Sequence, residues 1–326
     1  MKIKISELKE SIIKTLTSTY YSEAQAEKIA EVLIAAELSG KNTQGIIKLT
    51  GVEPIQSIKP EGEPEFIKDT KVSALINGHH NPGILVAHIA TQTAIDKAKE
   101  VGVGIVGTNN TFSSTGMLSF YASEIAKNDL IGVVMSGSPG SVAPHGGIEP
   151  LFGTNPVGFG FPTREDPLVF DMATSAITWY GLVRAKALGE KLPENVAIDS
   201  DGNLTTDPES AMNGAILPFD RNYKGSGLSM MVETLTGPLV GAGFADKTGN
   251  ADWGNLFIAI DPEVLIGKEE FKKTCSELVN LVRNSKTKPG SGKVRMPGEE
   301  SILKMRKAIE SGEMEIDEAI FGQLTK

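Results

Sequence analysis

The chain has 326 residues, enough for two ordinary domains or one large one, and its 32 basic against 41 acidic side chains give a formal net charge of −9. A surface of that sign repels phosphodiester backbones and anionic lipid, so neither nucleic acid nor a membrane is expected as a partner. One cysteine, Cys275, excludes an internal disulfide framework and any multi-thiolate zinc or iron–sulfur site, and no metal site is expected.

Ile5, Leu8, Ile12, Ile13 and Leu16 recur at the helical period, which predicts an amphipathic helix at the N-terminus rather than a targeting segment. No run reaches the ~18 uncharged apolar residues of a membrane span, and a cytoplasmic protein is expected. Ser22 and Gln25 form a capping-box pattern that opens a second helix through Ile29, Leu33, Ala36 and Glu37, which Gly40 should end. A Pro/Glu-rich connector runs from Glu53 to Glu65. Val72–Ile76 reads as a short strand stopped by Asn77-Gly78, and Ile84–Glu100 as a long helix burying Ala87, Ala90, Ala94 and Ala98.

Beyond residue 101 the chain changes to short apolar runs between glycine-rich turns. Val103–Val106, Ile131–Met135, Val157–Phe161 and Leu168–Asp171 read as strands, with a sharp turn at Gly153-Thr154-Asn155-Pro156. Trp179–Leu188 reads as a helix, Gly225–Leu239 as a Met-rich buried helix, Asn255–Ile260 as a strand, and Lys268–Asn284 and Glu299–Glu310 as helices. Cys275 then reads as a small buried hydrophobe. The 35 glycines, about 11% of the chain against a usual ~7%, call for tight turns and close backbone approaches. Gly102-Val103-Gly104-Ile105-Val106-Gly107 spells G-x-G-x-x-G, but a helix precedes it and a strand runs through it. A dinucleotide fingerprint needs the reverse order, so this is read as a helix cap followed by a strand.

Seven segments, in order, span nearly the whole chain: Ala36-Glu37-Leu38-Ser39-Gly40 leading to Gln44-Gly45; Val142-Ala143-Pro144-His145-Gly146-Gly147; Gly153-Thr154-Asn155-Pro156; Phe170-Asp171-Met172-Ala173-Thr174; Thr205-Thr206-Asp207-Pro208; Lys224-Gly225-Ser226-Gly227-Leu228; and Met296-Pro297-Gly298-Glu299. Each is weak alone. As an ordered set they resemble the type 2 malate/L-lactate dehydrogenases, a family that includes ureidoglycolate, sulfolactate and diketogulonate oxidoreductases. The resemblance implies an α/β, non-Rossmann nicotinamide-binding fold with a mixed central sheet, flanked by a helical region built from both chain ends. It divides the chain into a helical, dimer-forming region (1–75 with 265–326), a central sheet region (76–130 with 252–264) and a cofactor-binding region (131–251). It also implies NAD or NADP as cofactor, a small carboxylic acid as substrate, and a homodimer.

Residue by residue, Asp171 ends a strand where a carboxylate can accept from ribose hydroxyls or cap the next helix, and the resemblance gives Asp171, Met172 and Ala173 to the cofactor. Lys224 precedes Gly225 and Gly227, where absent side chains permit a phosphate to approach; a solvated lysine is the alternative. Ser138 and Pro297-Gly298-Glu299 match cofactor contacts or are plain turns.

At the catalytic positions the chain departs from the family. Gln44 stands where a histidine is usual, Lys48 where an arginine is, and Ser114 at a second histidine, with Pro139 in place of a common aspartate. No histidine occurs between 89 and 144. Glutamine cannot exchange a proton and serine is a poor base, so Lys48 or Tyr121 is left to serve a carbonyl substrate. The four histidines, His79, His80, His88 and His145, read as turn, surface or packing residues. Three readings stay open: an oxidoreductase with a changed substrate such as an imine, which arrives already protonated; a paralogue that binds nicotinamide nucleotide or an acid as a sensor; and an unrelated activity on the same fold.

Overall fold

The computed structural model describes residues 1–51, 54–245 and 252–324; Glu53, at the head of the Pro/Glu-rich connector, lies outside the described residues. A short strand, β1 (Lys2–Lys4), precedes the first helix, α1 (Ile5–Thr17), whose Leu8, Ile12 and Leu16 are fully buried along one stripe. The reciprocal Ser22–Gln25 box opens α2 (Glu23–Leu38), and Gly40, at φ +73°, turns the chain away from it. A 3-10 turn at Asn42–Gln44 leads to the single turn of α3 (Ile47–Thr50).

The hairpin of β2 (Glu65–Asp69) and β3 (Ser73–Asn77) is followed by α4 (Gly83–Val101), β4 (Val103–Thr111), α5 (Leu118–Lys127), β5 (Ile131–Ser136), β6 (Val157–Phe161) and β7 (Leu168–Met172). Then come α6 (Trp179–Leu188), β8 (Ala197–Ile198), β9 (Leu204–Thr205), α7 (Pro208–Asn213), β10 (Ala215–Ile216) and α8 (Tyr223–Thr236). The last elements are β11 (Trp253–Ile260), α9 (Lys268–Arg283), α10 (Glu299–Ser311), β12 (Glu313–Glu315) and α11 (Glu318–Leu324).

The central sheet has the order β2-β3-β4-β11-β5-β6-β7. It is mixed: β3 and β4 run parallel, joined by the crossover helix α4, and every other pair is antiparallel. It draws strands from each of the three regions separated above. α4 and α5 pack on the sheet closely enough to demand glycine. A Cβ at Gly104 would lie 2.1 Å from the Ala94 carbonyl oxygen, and one at Gly160 would lie 2.0 Å from that of Ala122. The G-x-G-x-x-G run is therefore a helix cap, with Gly102 at φ +90°, followed by a strand that admits a helix.

The chain ends meet. β1 pairs with β12, α10 packs on α2, and α11 packs on α1 and α3, so a helical layer from both termini flanks the sheet. A second, three-stranded sheet, β10-β8-β9, joins α6 and α7 around its own small core of Val142, Leu182, Val196, Ala211 and Ile216. Cys275 is buried on α9, where desolvation raises its thiol pKa. Among the described residues no helix is long and apolar enough to cross a membrane.

One helix differs from its sequence reading. α8 is Met-rich but does not bury its methionines, with Met230 54% and Met231 53% exposed. Its inward face is mostly small and polar (Gly225, Ser226, Ser229, Glu233 and Thr236, with Val232), Leu235 packs with Met135 and Leu256 of the sheet, and hydrogen bonds tie the helix to the turns beside β6 and β7. Ser229 donates to Thr174 Oγ1 at 2.8 Å, and Glu233 accepts from Asn155 Nδ2 at 2.6 Å.

Candidate active site

A cavity of about 610 Å³ opens where five segments converge: 40–48 ahead of and within α3, 114–118 leading into α5, 136–141 at the end of β5, 154–156 before β6, and 171–180 from β7 into α6. Trp253 closes it from β11. Gln44, Lys48, Ser114, Ser138, Asp171, Met172 and Ala173, far apart in sequence, all line it.

Asp171 stands at the end of edge strand β7, and its Oδ2 accepts three hydrogen bonds: from Lys41 Nζ at 2.9 Å, Ser119 Oγ at 2.9 Å and the Ser119 backbone N–H at 3.0 Å. It does cap a helix, but α5 rather than the one that follows it, because the 114–119 segment lies across the sheet end from β7. Oδ1 has no hydrogen-bond partner among the described residues. Removing the carboxylate (Asp171→Ala) should cost about 1–2 kcal/mol of stability, by stranding the start of α5, and should weaken nucleotide binding. Thermal melts and a fluorescence titration measure the two effects, and unchanged melts would show that the cap carries no weight.

Lys48 is 2% exposed, and its Nζ stands 3.4 Å from the centroid of the Tyr180 ring. Ser114 Oγ donates toward Gln44 Oε1 at 3.4 Å and accepts the Gly116 N–H at 3.1 Å. Ser138 Oγ accepts from the Thr154 N–H at 3.1 Å, locking the 138–141 loop to the 153–156 turn, in which Asn155 adopts φ +40°. Behind the wall, Thr115 donates to Asn255 Oδ1 at 2.6 Å and pairs with Ser136 at 3.0 Å, while Asn255 donates to Thr108 at 2.9 Å. This satisfied polar chain ties the 114–118 segment to the three central strands.

The segment bearing Gln44 and Lys48 is held from below by Glu37, a buried carboxyl on α2 whose Oε1 accepts the Ile46 N–H at 2.8 Å. A Cβ at position 45 would fall 1.9 Å from that oxygen, which is why Gly45 sits there. Burial is the main cause that pushes the Glu37 pKa up to about 7, and Oε2 has no partner among the described residues.

One expectation is corrected. Tyr121 does not reach the cavity. It is fully buried in the main core, edge-on to His88, Phe120 and Phe257, with its hydroxyl donating to the Thr115 carbonyl at 2.8 Å. Burial raises its pKa far above the usual phenol value, so it supports the 114–118 wall and does not exchange protons with a substrate. Lys224 and Gly225, in the first turn of α8, are not among the lining residues. Gly225 N–H donates to Asp220 Oδ1 at 3.0 Å, which leaves no space for a side chain. Pro297-Gly298-Glu299 opens α10 outside the cavity. A Cβ on Gly298 would lie 2.7 Å from the Val169 carbonyl oxygen, which places this turn against β7 close to Asp171.

Among the described residues no histidine lines the cavity. His79 and His80 sit in a positive-φ turn beside Glu65 and Glu61, and His145 is exposed. His88 meets the Lys28 carbonyl at 2.9 Å, and desolvation lowers its pKa to about 4. Sequence reasoning missed Lys41, Tyr180 and Trp253. Their role depends on partners brought near only by folding; the sole local signal was the aromatic pair Trp179-Tyr180 directly after the Thr178 N-cap.

The family model for malate/L-lactate dehydrogenases matches residues 3–325. The chain belongs to this family. It is 38% identical over 335 residues to malate/(S)-sulfolactate dehydrogenase of Methanothermus fervidus, covering 99% of this chain and 96% of that one. It is 31% identical to ureidoglycolate dehydrogenase (NAD(+)) of Escherichia coli, covering 99% and 95%. The solved sulfolactate dehydrogenase from Methanocaldococcus jannaschii superposes with a TM-score of 0.88 at 34% identity, covering 99% and 95%. The non-Rossmann α/β fold and the nicotinamide-dependent oxidoreductase family agree with the ordered motifs that suggested them.

Proposed function

We propose that this malate/L-lactate dehydrogenase family member is an NAD(P)-dependent oxidoreductase of a small 2-oxo, 2-hydroxy or 2-imino acid, with its substrate and acid/base residues changed from the family pattern. The observation that carries the reading is the make-up of the cavity. Its ionisable lining among the described residues is Lys41, Lys48, Asp171 and Tyr180, with Gln44 and Ser114 where imidazoles would be expected. The cofactor supplies or accepts the hydride at the nicotinamide ring when bound. The donor set fits such a group: Asp171 Oδ1 is open to a ribose hydroxyl, and Ser138, Met172 and Ala173 offer one polar and two apolar contacts beside it. Lys224 with Gly225, and Pro297-Gly298-Glu299, would hold the more distant parts. At Gly227, beside Lys224, a Cβ would meet nothing within 4 Å, so that glycine leaves open approach to the backbone.

Among the described residues the cavity lining carries two ammonium groups and one carboxylate, a balance that supports an anionic substrate. The missing imidazole favours a 2-imino acid, because an iminium brings its own proton and hydride delivery then needs no acid from the cavity. The outward face of α8, with Leu228, Met230 and Met231 exposed, supports a homodimer, and the composition supports a cytoplasmic setting.

Titration with NADH and NADPH by fluorescence, followed by oxidation assays, tests the reading. The acids are 2-oxo acids with and without ammonia or methylamine, and cyclic imino acids. Nucleotide binding, with faster turnover of imines than of the parent oxo acids, is expected. Binding without turnover on any acid would favour the sensor alternative, and no nucleotide binding would sink both.

A further inference from the structure

Lys41 stands on the cavity wall with Gln44, Ser114 and Asp171, and the end of α2 fixes its backbone. Its N–H donates to the Ala36 carbonyl at 2.8 Å, and that of Gly40 donates to the Glu37 carbonyl at 2.9 Å, the two hydrogen bonds of a Schellman motif around the left-handed Gly40. The Lys41 carbonyl in turn accepts the Gln44 N–H at 2.8 Å, so the residue also opens the turn that carries Gln44. At the other end of the side chain, Nζ donates to Asp171 Oδ2 and to Ser119 Oγ, each at 2.9 Å. An ammonium has three N–H donors. Two are used here, and the third has no partner among the described residues. Access separates this group from the other protic side chains. A group that gives up a proton in each turnover must take another from water. Tyr121 is fully buried and Lys48 is 2% exposed, whereas 32% of the Lys41 side chain is exposed.

We propose that Lys41 is the general acid of carbonyl reduction in this protein, doing from the end of α2 what the absent imidazoles would do. As C2 of a 2-oxo acid accepts the hydride that NADH supplies, the carbonyl π pair moves onto its oxygen. That oxygen takes the third proton of the Lys41 ammonium, which leaves a 2-hydroxy acid, NAD+ and a neutral amine. The amine keeps its hydrogen bonds to Asp171 and Ser119 and regains its proton from water. An iminium substrate makes no such demand, because its π pair closes onto a nitrogen that is already protonated. The role is directional: an ammonium serves reduction, whereas oxidation of a hydroxy acid needs an unprotonated base. The proposal rests on the reading of this cavity as the substrate site.

The test compares Lys41→Met, which removes the ammonium, with Lys41→Arg, which keeps a cation beside Asp171 but never gives up its proton. With NADH saturating, both should reduce 2-oxo acids with a kcat about two to four orders of magnitude below the parent's, and the loss on a cyclic imino acid should be at least about tenfold smaller. Oxamate, an unreactive mimic of a 2-oxo acid, reads contact without turnover. Titrated calorimetrically into the NADH-loaded proteins, it should bind Lys41→Met about tenfold more weakly than the parent, and Lys41→Arg should recover most of that loss. If Lys41→Met does not fold, Lys41→Gln, which keeps a donor toward Asp171, takes its place. Three outcomes would overturn the role of Lys41: Lys41→Arg as active on oxo acids as the parent, equal losses on oxo and imino acids, or oxamate binding unchanged in Lys41→Met. A parent that reduces cyclic imino acids but no oxo acid would also overturn it and leave the oxidoreductase reading standing. A parent that binds no NADH would instead remove that reading, and this proposal with it.

Discussion

Gln44→His combined with Ser114→His should raise the rate of 2-hydroxy-acid oxidation by about two to four orders of magnitude, the usual worth of a positioned acid/base. The two side chains already approach within 3.4 Å on the wall of a roomy cavity, so imidazoles there face the same space and each other. Histidine ionises near neutral pH, so the gained activity should fall as pH drops through about 6.5. Neither single change should match the pair if the two residues act as a unit. The measurement is kcat/KM for a panel of hydroxy acids with NAD+ and NADP+. A double variant that folds and binds nucleotide without any gain would show that divergence extends beyond these two side chains.

Glu37 should make the stability of the protein fall as pH rises from about 4.5 to about 7. Its pKa is raised from the ordinary 4.5 to about 7 by burial, so the folded state holds the proton more tightly than the unfolded chain. The contribution is present in full below the unfolded value and is lost progressively as pH climbs to about 7. At most it amounts to about 3 kcal/mol, one pKa unit being worth about 1.4. Glu37→Gln keeps an acceptor for the Ile46 N–H and cannot ionise, so its melting temperature should exceed the parent's at pH 8 and lose that advantage at pH 5. Parallel melting curves for the two proteins across this range would assign the ionisation elsewhere.

Where local chemistry decides structure, the sequence was readable. The Ser22–Gln25 box, the span of β6 and the span of α6 agree with their side-chain patterns because caps, alternation and helical period act over a few residues. α5 escaped notice because its start has no side-chain cap of its own and is capped by Asp171, which arrives from across the sheet end. α8 was misread because apolar content does not say which face turns inward when glycine and serine permit closer packing than methionine. In the cavity, Gln44, Lys48, Ser114 and Asp171 were legible through the family resemblance, whereas Tyr121, left as an acid/base once Gln44 and Ser114 could not serve, turns into the core. Lys41 and Tyr180 had no such trace, since each owes its importance to partners distant in the chain.

The position of β11 bears on how this protein is made. That strand lies between β4 and β5, with Leu256 opposite Gly107 on one side and Met135 on the other. A ribosome that has released residues 1–240 has therefore delivered both neighbours with the slot between them empty, each showing a row of unpaired backbone groups. The halves of the sheet cannot join until a strand synthesised more than a hundred residues later is inserted between them, a long-range closure that makes folding slow and leaves the nascent chain prone to mispairing. Growth temperature and chaperone supply during expression should accordingly affect the yield of this protein more than any surface residue does.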